Sequence, residues 1–158
     1  MKILMVCLGN ICRSPLAEGI LRDKARKMGV EITVDSAGTA AYHTGERPDR
    51  RSQEVAKKHG IDISSQRARQ FTRSDFEEFD RIFVMDSSNY DNVISLAPSP
   101  EEAKKVEYIL NMIYPGKDLP IPDPYYGGND GFENVFRMLD DSCEKIIEKV
   151  KSNGLEGS

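Results

Sequence analysis

Short apolar runs alternate with amphipathic stretches along this chain. Four runs have the length and composition of strands, at residues 2–7, 31–35, 81–85 and 106–111. The stretches between them carry helical spacing, most clearly at 132–150, where apolar residues recur three and four positions apart. Strands that alternate with helices favour a parallel sheet, so the pattern predicts one α/β domain.

Capping residues indicate where several helices begin and end. Ser14 is expected to be the N-cap of the first helix, with Pro15 at its first position and Gly29 after its last turn. The segment 115–131 is rich in proline and glycine and is predicted to be a loop. Further helices are predicted at residues 50–59, directly after Ser74, and at residues 87–96.

Composition narrows the class of protein. The chain has 158 residues, a net charge of −4 and an isoelectric point near 5.3, which argues against a nucleic-acid-binding protein. Its apolar runs are too short to cross a membrane, and its start lacks a signal-peptide pattern. We expect one domain over residues 1–151 and a disordered, polar tail over residues 152–158.

The cysteines, Cys7, Cys12 and Cys143, are too few and too unevenly spaced for a disulfide framework. Free thiols favour a reducing compartment, so we expect a cytoplasmic protein. The sequence has no cysteine pair at metal-binding spacing, and His43 and His59 lie apart from each other. We therefore predict neither a metal site nor a cofactor.

Most of the chemistry lies in one run between the first strand and the first helix. That run is Cys7-Leu8-Gly9-Asn10-Ile11-Cys12-Arg13-Ser14. A loop at a helix N-terminus offers backbone N–H groups and partial positive charge to an anion, and this setting favours a thiolate. Arg13 can bind two phosphoryl oxygens in parallel, and Ser14 can donate a hydrogen bond to the Cys7 sulfur. The run predicts a nucleophilic thiol aimed at a bound oxyanion.

A second element is needed to release an alcohol from a phosphate monoester, namely a proton donor. Asp123 is the candidate, because it lies between Pro122 and Pro124, which restrict its backbone. From the residues alone, an aspartate in a proline-rich segment is more often a turn residue.

The chain resembles the low molecular weight protein tyrosine phosphatase family over about residues 2–150. The matching segments, in order, are the Cys7–Ser14 run, D-S-A-G-T from Asp35, F-V-M-D-S-S-N from Phe83, and P-D-P-Y-Y-G-G from Pro122. The resemblance implies a four-stranded parallel sheet flanked by helices on both faces, a flavodoxin-like or phosphotyrosine phosphatase I-like architecture.

The same resemblance implies a metal-free reaction. Phosphotyrosine would be hydrolysed through a cysteinyl-phosphate, with Cys7 as the nucleophile, Arg13 as the phosphate clamp and Asp123 as the general acid and base. The substrates would be phosphotyrosine proteins or peptides, and phosphate and vanadate would inhibit. We expect a monomer, with weak self-association left open.

The resemblance also implies a pocket deep enough for an aromatic ring. Ile11, Tyr42, Tyr125 and Tyr126 would form its wall. Some family members accept phosphoarginine and carry a smaller polar residue at the Ile11 position, so Ile11 favours phosphotyrosine. Without the resemblance, the tyrosines could equally be half-exposed surface residues.

Residues around the loop are assigned by the same resemblance. Ser36 would brace Asn10, and Cys12 would be a redox partner that protects Cys7 from over-oxidation. A small packing residue is the alternative role for Cys12. Gln66 stands where the family usually has a histidine, so the details of the support network are expected to differ.

Two other functions fit the same loop. An arsenate reductase would use Cys7 and Arg13, but it needs two further thiols downstream, and only Cys143 follows. A non-enzymatic module that captures phosphotyrosine would need neither Cys7 nor Asp123.

Overall fold

A parallel sheet forms the centre of the structure, a computed structural model that describes residues 1–125, 127 and 129–155. Its strands are β1 (Lys2–Cys7), β2 (Thr33–Gly38), β3 (Arg81–Val84) and β4 (Val106–Tyr108). Their order is β2-β1-β3-β4, and every neighbouring pair is parallel. The predicted four-stranded parallel sheet is therefore confirmed, and the carboxyl ends of its strands share one edge, where such folds bind ligands.

Helices cover both faces of this sheet, as predicted. The described helices are α1 (Arg13–Met28), α2 (Arg50–Lys58), α3 (Asp75–Glu78), α4 (Ser87–Ile94), α5 (Pro100–Ala103), a 3₁₀ helix (Ile109–Met112) and α6 (Asn129–Lys151). Helices α1, α2 and α6 pack together on one face, and α4 packs against β3 and β4 on the other.

β1 divides the core into two parts, because successive side chains of a strand point to opposite faces. Ile3 and Met5 lie in the part that contains α1 and α6, whereas Leu4 and Val6 lie in the part that contains α4. All four side chains are fully buried. The apolar stripe predicted for the last helix fills much of the first part, with Phe132, Val135, Phe136, Leu139, Cys143, Ile146 and Ile147.

β2 lies further along the chain than the predicted residues 31–35. The whole length of β1 pairs with it, from Lys2 opposite Thr33 to Cys7 opposite Gly38. Alanine and glycine are poor strand formers, but the backbone groups of the buried central strand β1 need partners along its full length. At its outer edge, the N–H of Gly38 donates to the carbonyl of Arg69 at 2.8 Å, and its carbonyl accepts from the N–H of Phe71 at 2.7 Å.

Other boundaries also differ from the prediction. α6 begins at Asn129, inside the segment predicted to be a loop, and β4 ends at Tyr108, where the 3₁₀ helix takes over. The short helix α5 was not predicted, although its capping signal is present. Ser99 accepts a hydrogen bond from the N–H of Glu102 at 3.2 Å, and Pro100 occupies the first turn.

Ser14 is not the N-cap of α1, contrary to the prediction. The helix begins at Arg13, and Cys12 occupies the N-cap position without a side-chain capping bond. The Ser14 hydroxyl contacts Cys7 and Asn10 instead, so it is not available to cap. At the other end, Gly29 is the C-cap, as predicted, with a φ of 65°.

The sequence analysis expects a disordered tail over residues 152–158, and within this segment the structure places Leu155 in contact with the core. Leu155 is buried in the core, and its carbonyl accepts a hydrogen bond from Nη2 of Arg81 at 3.1 Å. The buried Leu155 side chain and this hydrogen bond both connect the otherwise polar segment to the rest of the fold. Residues 156–158, the rest of the predicted tail, lie outside the described residues.

Candidate active site

The sequence-predicted loop joins the carboxyl end of β1 to the start of α1. We call residues 8–14 the anion loop. Cys7 is the last residue of β1 and Arg13 the first of α1, and both are almost fully buried. Asn10 turns the chain with a φ of 57°, a conformation that asparagine tolerates better than most residues. The loop therefore brings the thiol and the guanidinium to one place.

The hydroxyl of Ser14 is a polar neighbour of the Cys7 sulfur. Sγ of Cys7 lies 3.1 Å from Oγ of Ser14. Nδ2 of Asn10 donates to the same Oγ at 2.8 Å, which leaves the hydroxyl proton of Ser14 free to point at the sulfur. The predicted Ser14–Cys7 contact is therefore present, and the Ser14 hydroxyl is placed to donate a hydrogen bond to the sulfur.

Arg13 is fixed by acceptors that leave part of its guanidinium facing the pocket. Nη1 donates to Oδ2 of Asp86 at 2.7 Å and to the carbonyl of Ile121 at 2.9 Å. Burial opposes the charged form, but the negative charges of Cys7 and Asp86 outweigh it and raise the pKa of Arg13. A permanently charged fork is thereby held beside the thiol.

Asp123 lies across the pocket from the anion loop. Its Oδ2 is 3.6 Å from Nη2 of Arg13, and its Oδ1 accepts a hydrogen bond from the N–H of Tyr125 at 3.0 Å. Its side chain is 35% exposed, so the carboxyl group can exchange protons with solvent. The structure brings together the three residues that the sequence analysis assigned to catalysis.

These residues line one pocket of about 200 Å³. Its wall contains Leu8, Gly9, Ile11, Cys12, Tyr42, His43 and Tyr125. Ile11 is buried, whereas Tyr42 is 79% exposed and forms the outer rim. Three of the four predicted wall residues are therefore in place, and the fourth, Tyr126, lies outside the described residues.

His43 is a wall residue that the sequence analysis missed. Its Nδ1 lies 2.8 Å from Oε2 of Glu46, and because a carboxylate only accepts, Nδ1 carries the proton. The ring packs against Gly9 so closely that a Cβ there would lie 3.0 Å from Cδ2 of the imidazole. In the sequence, His43 stands three residues before Glu46, which could have suggested their contact. No sequence pattern indicated that its ring would lie beside Gly9.

The support behind the anion loop is deeper than predicted. Nδ2 of Asn10 donates to Oγ of Ser36 at 2.9 Å, as expected, and Ser36 donates to Oε1 of Glu18 at 2.6 Å. Oε2 of Glu18 accepts from Nη2 of Arg22 at 2.7 Å. Burial raises the pKa of Glu18, although the hydrogen bond from Ser36 and the charge of Arg22 partly oppose this.

Gln66 does not join this network. Its Nε2 donates to the carbonyl of Pro15 at 3.1 Å. The carboxylate of Glu18 is instead bonded by Arg22, one turn along the same helix. Glu18 was not identified in the sequence because its long-range partner, Ser36, lies on another element.

Two neighbouring elements hold the anion loop from outside. The N–H of Asp49, the N-cap of α2, donates to the carbonyl of Ile11 at 2.7 Å, and Oγ of Ser52 donates to that of Cys12 at 3.2 Å. On the other side, a Cβ on Gly38 would lie 2.8 Å from the carbonyl oxygen of Leu8. The glycine of the D-S-A-G-T segment is therefore required by close backbone approach.

Burial disfavours the thiolate form of the other two cysteines, Cys12 and Cys143. Burial, followed by the charges of Asp49 and Cys7, raises the pKa of the Cys12 thiol far above its usual range. Burial has the same effect on Cys143, which lies inside the core with its sulfur 3.7 Å from the carbonyl of Ala17. Cys143 is thus placed away from the pocket, where it cannot relay electrons to Cys7.

Among the residues that the structure describes, no helix is both long enough and apolar enough to cross a membrane. Within the same residues, no cluster of three or more histidine, cysteine or acidic side chains is placed to hold a metal ion.

Comparison with known proteins gives consistent matches over nearly the whole chain. The family model described as low molecular weight phosphotyrosine protein phosphatase matches residues 2–155. A putative low molecular weight protein-tyrosine-phosphatase of Synechocystis is 46% identical over 152 residues, which cover 95% of this chain and 96% of that protein.

Solved structures agree with the sequence matches. A protein tyrosine phosphatase from Entamoeba histolytica, with Hepes in its active site, has a TM-score of 0.91 and 38% identity, over 98% of this chain and 99% of that one. A Drosophila arginine phosphatase has a TM-score of 0.88 and 35% identity, over 96% and 98% of the two chains.

Proposed function

Since the chain belongs to the low molecular weight phosphotyrosine protein phosphatase family, we propose that it hydrolyses phosphotyrosine through a cysteinyl-phosphate. Cys7 is the nucleophile, Arg13 binds the phosphoryl oxygens, and Asp123 is first the acid and then the base. The observation that carries the proposal is the convergence of these residues on one pocket, with Oδ2 of Asp123 3.6 Å from Nη2 of Arg13.

In the first step, the Cys7 thiolate forms a bond to phosphorus as the bond to the phenolic oxygen breaks. The electron pair leaves with that oxygen, and protonated Asp123 supplies the proton, so that a phenol departs. Arg13 and the backbone N–H groups of the anion loop bind the non-bridging oxygens, where charge is held throughout the transfer.

In the second step, water attacks the phosphorus of the cysteinyl-phosphate. Asp123, now a carboxylate, takes a proton from this water, and the sulfur–phosphorus bond breaks to return the Cys7 thiolate and release phosphate. The hydroxyl of Ser14, 3.1 Å from the sulfur, stabilises the departing thiolate by donating a hydrogen bond.

Replacement of the nucleophile tests the proposal. Cys7→Ser is expected to lower kcat on p-nitrophenyl phosphate by at least about a thousandfold, because a serine hydroxyl is a far weaker nucleophile without a base. Acid quenching of the unaltered enzyme should trap phosphate on Cys7, detected by peptide mass spectrometry. Cys12→Ser is the matched control, and turnover by Cys7→Ser close to that of the control would refute the assignment.

Substrate choice within this family is a finer question, because one structural relative is named as an arginine phosphatase. The buried, apolar Ile11 and the rings of Tyr42 and Tyr125 favour a flat aromatic group over a guanidinium. We expect higher kcat/KM on a phosphotyrosine peptide than on its phosphoarginine counterpart. A preference for phosphoarginine would support the alternative.

The same site is expected to bind free oxyanions. Phosphate, as product, and vanadate, which can take five ligands as the transferring phosphorus does, should both inhibit competitively, with vanadate binding more tightly. Steady-state inhibition on p-nitrophenyl phosphate measures both constants.

Several finer assignments remain part of the proposal. Cys12, buried beside the nucleophile in the pocket wall, is proposed as the redox partner of Cys7; recovery of peroxide-treated enzyme by a thiol tests this.

Free thiols suit a reducing compartment, and we propose a cytoplasmic monomer with one catalytic domain over residues 1–151. Analytical ultracentrifugation tests the oligomeric state.

A further inference from the structure

Arg51 lies outside the pocket and contacts Tyr125, one of the residues that line it. It belongs to the first turn of α2, and its side chain is 29% exposed. The central carbon of its guanidinium lies 4.6 Å from the ring centroid of Phe132 in α6 and 5.4 Å from that of Tyr125. Both distances lie within the range of cation–π attraction.

The guanidinium is fixed relative to the anion loop. Nε and Nη2 of Arg51 donate to the two carboxylate oxygens of Asp49 at 3.1 and 3.0 Å. The backbone N–H of Asp49 in turn donates to the carbonyl of Ile11 at 2.7 Å. Partial burial opposes ionisation of Asp49, but the hydrogen bonds from Arg51 outweigh it and lower its pKa, so the pair stays charged at neutral pH.

On the other side, the guanidinium contacts the segment that carries the general acid. We call residues 122–125 the acid loop. Pro122 and Pro124 have no backbone N–H to donate, so backbone bonding alone provides few anchors. Tyr125 is bonded directly to the acid, because its N–H donates to Oδ1 of Asp123 at 3.0 Å. A group that fixes Tyr125 therefore also fixes the carboxyl group of Asp123.

We propose that Arg51 is a positioning residue for the general acid. Its guanidinium, held by Asp49 against the anion loop, stacks with Tyr125 and Phe132 and keeps Asp123 within reach of the leaving oxygen. This inference rests on the proposed function of Asp123. Arg51 itself is not among the residues that line the pocket, so it acts through the acid loop rather than on the substrate.

Displacement of the general acid can be distinguished from a general loss of structure, because only the former makes the rate depend more strongly on the leaving group. A phenol of high pKa needs a proton to leave, whereas 2,4-dinitrophenol leaves as its anion. Arg51→Met keeps the length and apolar stem of the side chain but removes its charge and fork. We expect kcat/KM to fall about tenfold on phenyl phosphate and less than about twofold on 2,4-dinitrophenyl phosphate.

Matched variants define the control. Arg50→Met changes the neighbouring arginine, whose side chain is 86% exposed and lies 3.5 Å from Glu54; both substrates should keep the rates of the unaltered enzyme. Arg51→Lys retains a cation near the rings but loses the two-point bond to Asp49, and its rate on phenyl phosphate should lie between those of the other two. The inhibition constant of phosphate should not change, because the anion loop is intact.

The outcomes separate this inference from the assignment on which it rests. Asp123→Asn should show the same dependence on leaving group, but more strongly. If Asp123→Asn shows it and Arg51→Met loses rate equally on both substrates, or not at all, the role of Arg51 is refuted while the acid stands. If Asp123→Asn shows no such dependence, both assignments fail. Should Arg51→Met not fold, the comparison of Arg51→Lys with Arg50→Met decides the question.

Discussion

The anion loop is buried and bonded through its side chains, whereas the acid loop is more exposed, and its contacts include the ion pair of Asp123 with Arg13 and the cation–π contact of Tyr125 with Arg51. Asn10, Arg13 and Ser14 are almost fully buried, and each bonds to side chains outside its own turn or to another element. Asp123 and Tyr125 are each more than a third open to solvent, the side chain of the former by 35%.

The difference matches what each loop has to accommodate. The phosphoryl group is the same in every substrate, so its donors can be fixed in advance, and donors that need no reorganisation stabilise a transition state best. The leaving group and the peptide around it vary between substrates. A loop held by rings and a guanidinium can adjust to them without disturbing the nucleophile.

The largest loss of activity is expected when Arg13, the phosphate-binding arginine of the anion loop, is replaced. Arg13→Lys is expected to lower kcat/KM by about a thousandfold, because an ammonium group cannot offer two parallel N–H bonds and leaves Asp86 with a weaker partner. The loss should be equal on phenyl phosphate and on 2,4-dinitrophenyl phosphate, in contrast to changes in the acid loop. Arg47→Lys, at an exposed position, serves as the control. A loss confined to phenyl phosphate would contradict the division between the loops.

The next effect should come from the glycine that backs the anion loop. Gly38→Ala is expected to lower kcat by about ten- to a hundredfold, because the new Cβ would lie 2.8 Å from the Leu8 carbonyl and must displace the loop. Gly29→Ala is the contrast, since its φ of 65° makes alanine strained but its Cβ would touch nothing. It should lower the melting temperature and leave kcat unchanged. Equal kinetic effects of the two changes would show that the close approach at Gly38 is unimportant.

A smaller effect is expected at the wall of the pocket. His43→Ala should raise KM about threefold on a phosphotyrosine peptide and leave kcat unchanged, because the ring is part of the pocket wall, packed against Gly9 and bonded to Glu46. Steady-state kinetics on the peptide measure kcat and KM separately, and inhibition by phosphate reports on the anion loop. A fall in kcat without a change in KM would place His43 in the chemical step instead.

The smallest effect concerns pH and the support behind the anion loop. Burial raises the pKa of Glu18 in the folded state, so the folded protein binds more protons than the unfolded chain between the two pKa values. Its contribution to stability is therefore fully present below the usual glutamate pKa and is lost as pH rises through the raised value. As pH rises over that interval, the melting temperature of the unaltered protein should fall relative to that of Glu18→Gln. Parallel melting curves at every pH would contradict it.

The chemistry of the anion loop could be predicted because its residues are contiguous. Cys7 and Arg13 are fixed by one strand end and one helix start, both of which the pattern shows. Ser14 illustrates the limit: its position directly before Pro15 suggested a helix cap, and its bond to Cys7 was expected as well, but the bond from Asn10 comes from the folded turn. Local propensity did not reveal which of these bonds would form.

Features that depend on distant parts of the chain were the ones missed. Glu18 and His43 have ordinary sequence surroundings, and Gly38 lies in the matching D-S-A-G-T segment without having been assigned a role. The roles of these residues arise only when α1, β2 and the segment after it are brought to one edge of the sheet. The shift of β2 has the same origin, since its extent is set by the length of β1 rather than by its own residues. Leu155 likewise gains its role from a core formed by other elements.

The pairing of Gly38 with residues 69–71 affects whether copies of the chain can associate through the edge of the sheet. β2 is an edge strand, and an open edge is a template on which another molecule can add a strand. Both backbone groups of Gly38 are already bonded within the chain, and Asp35 forms an ion pair with Arg69. A strand from another molecule could pair with this edge only after these bonds had broken. The segment whose Arg69 N–H also braces Asn10 therefore protects the edge beside the pocket against aggregation.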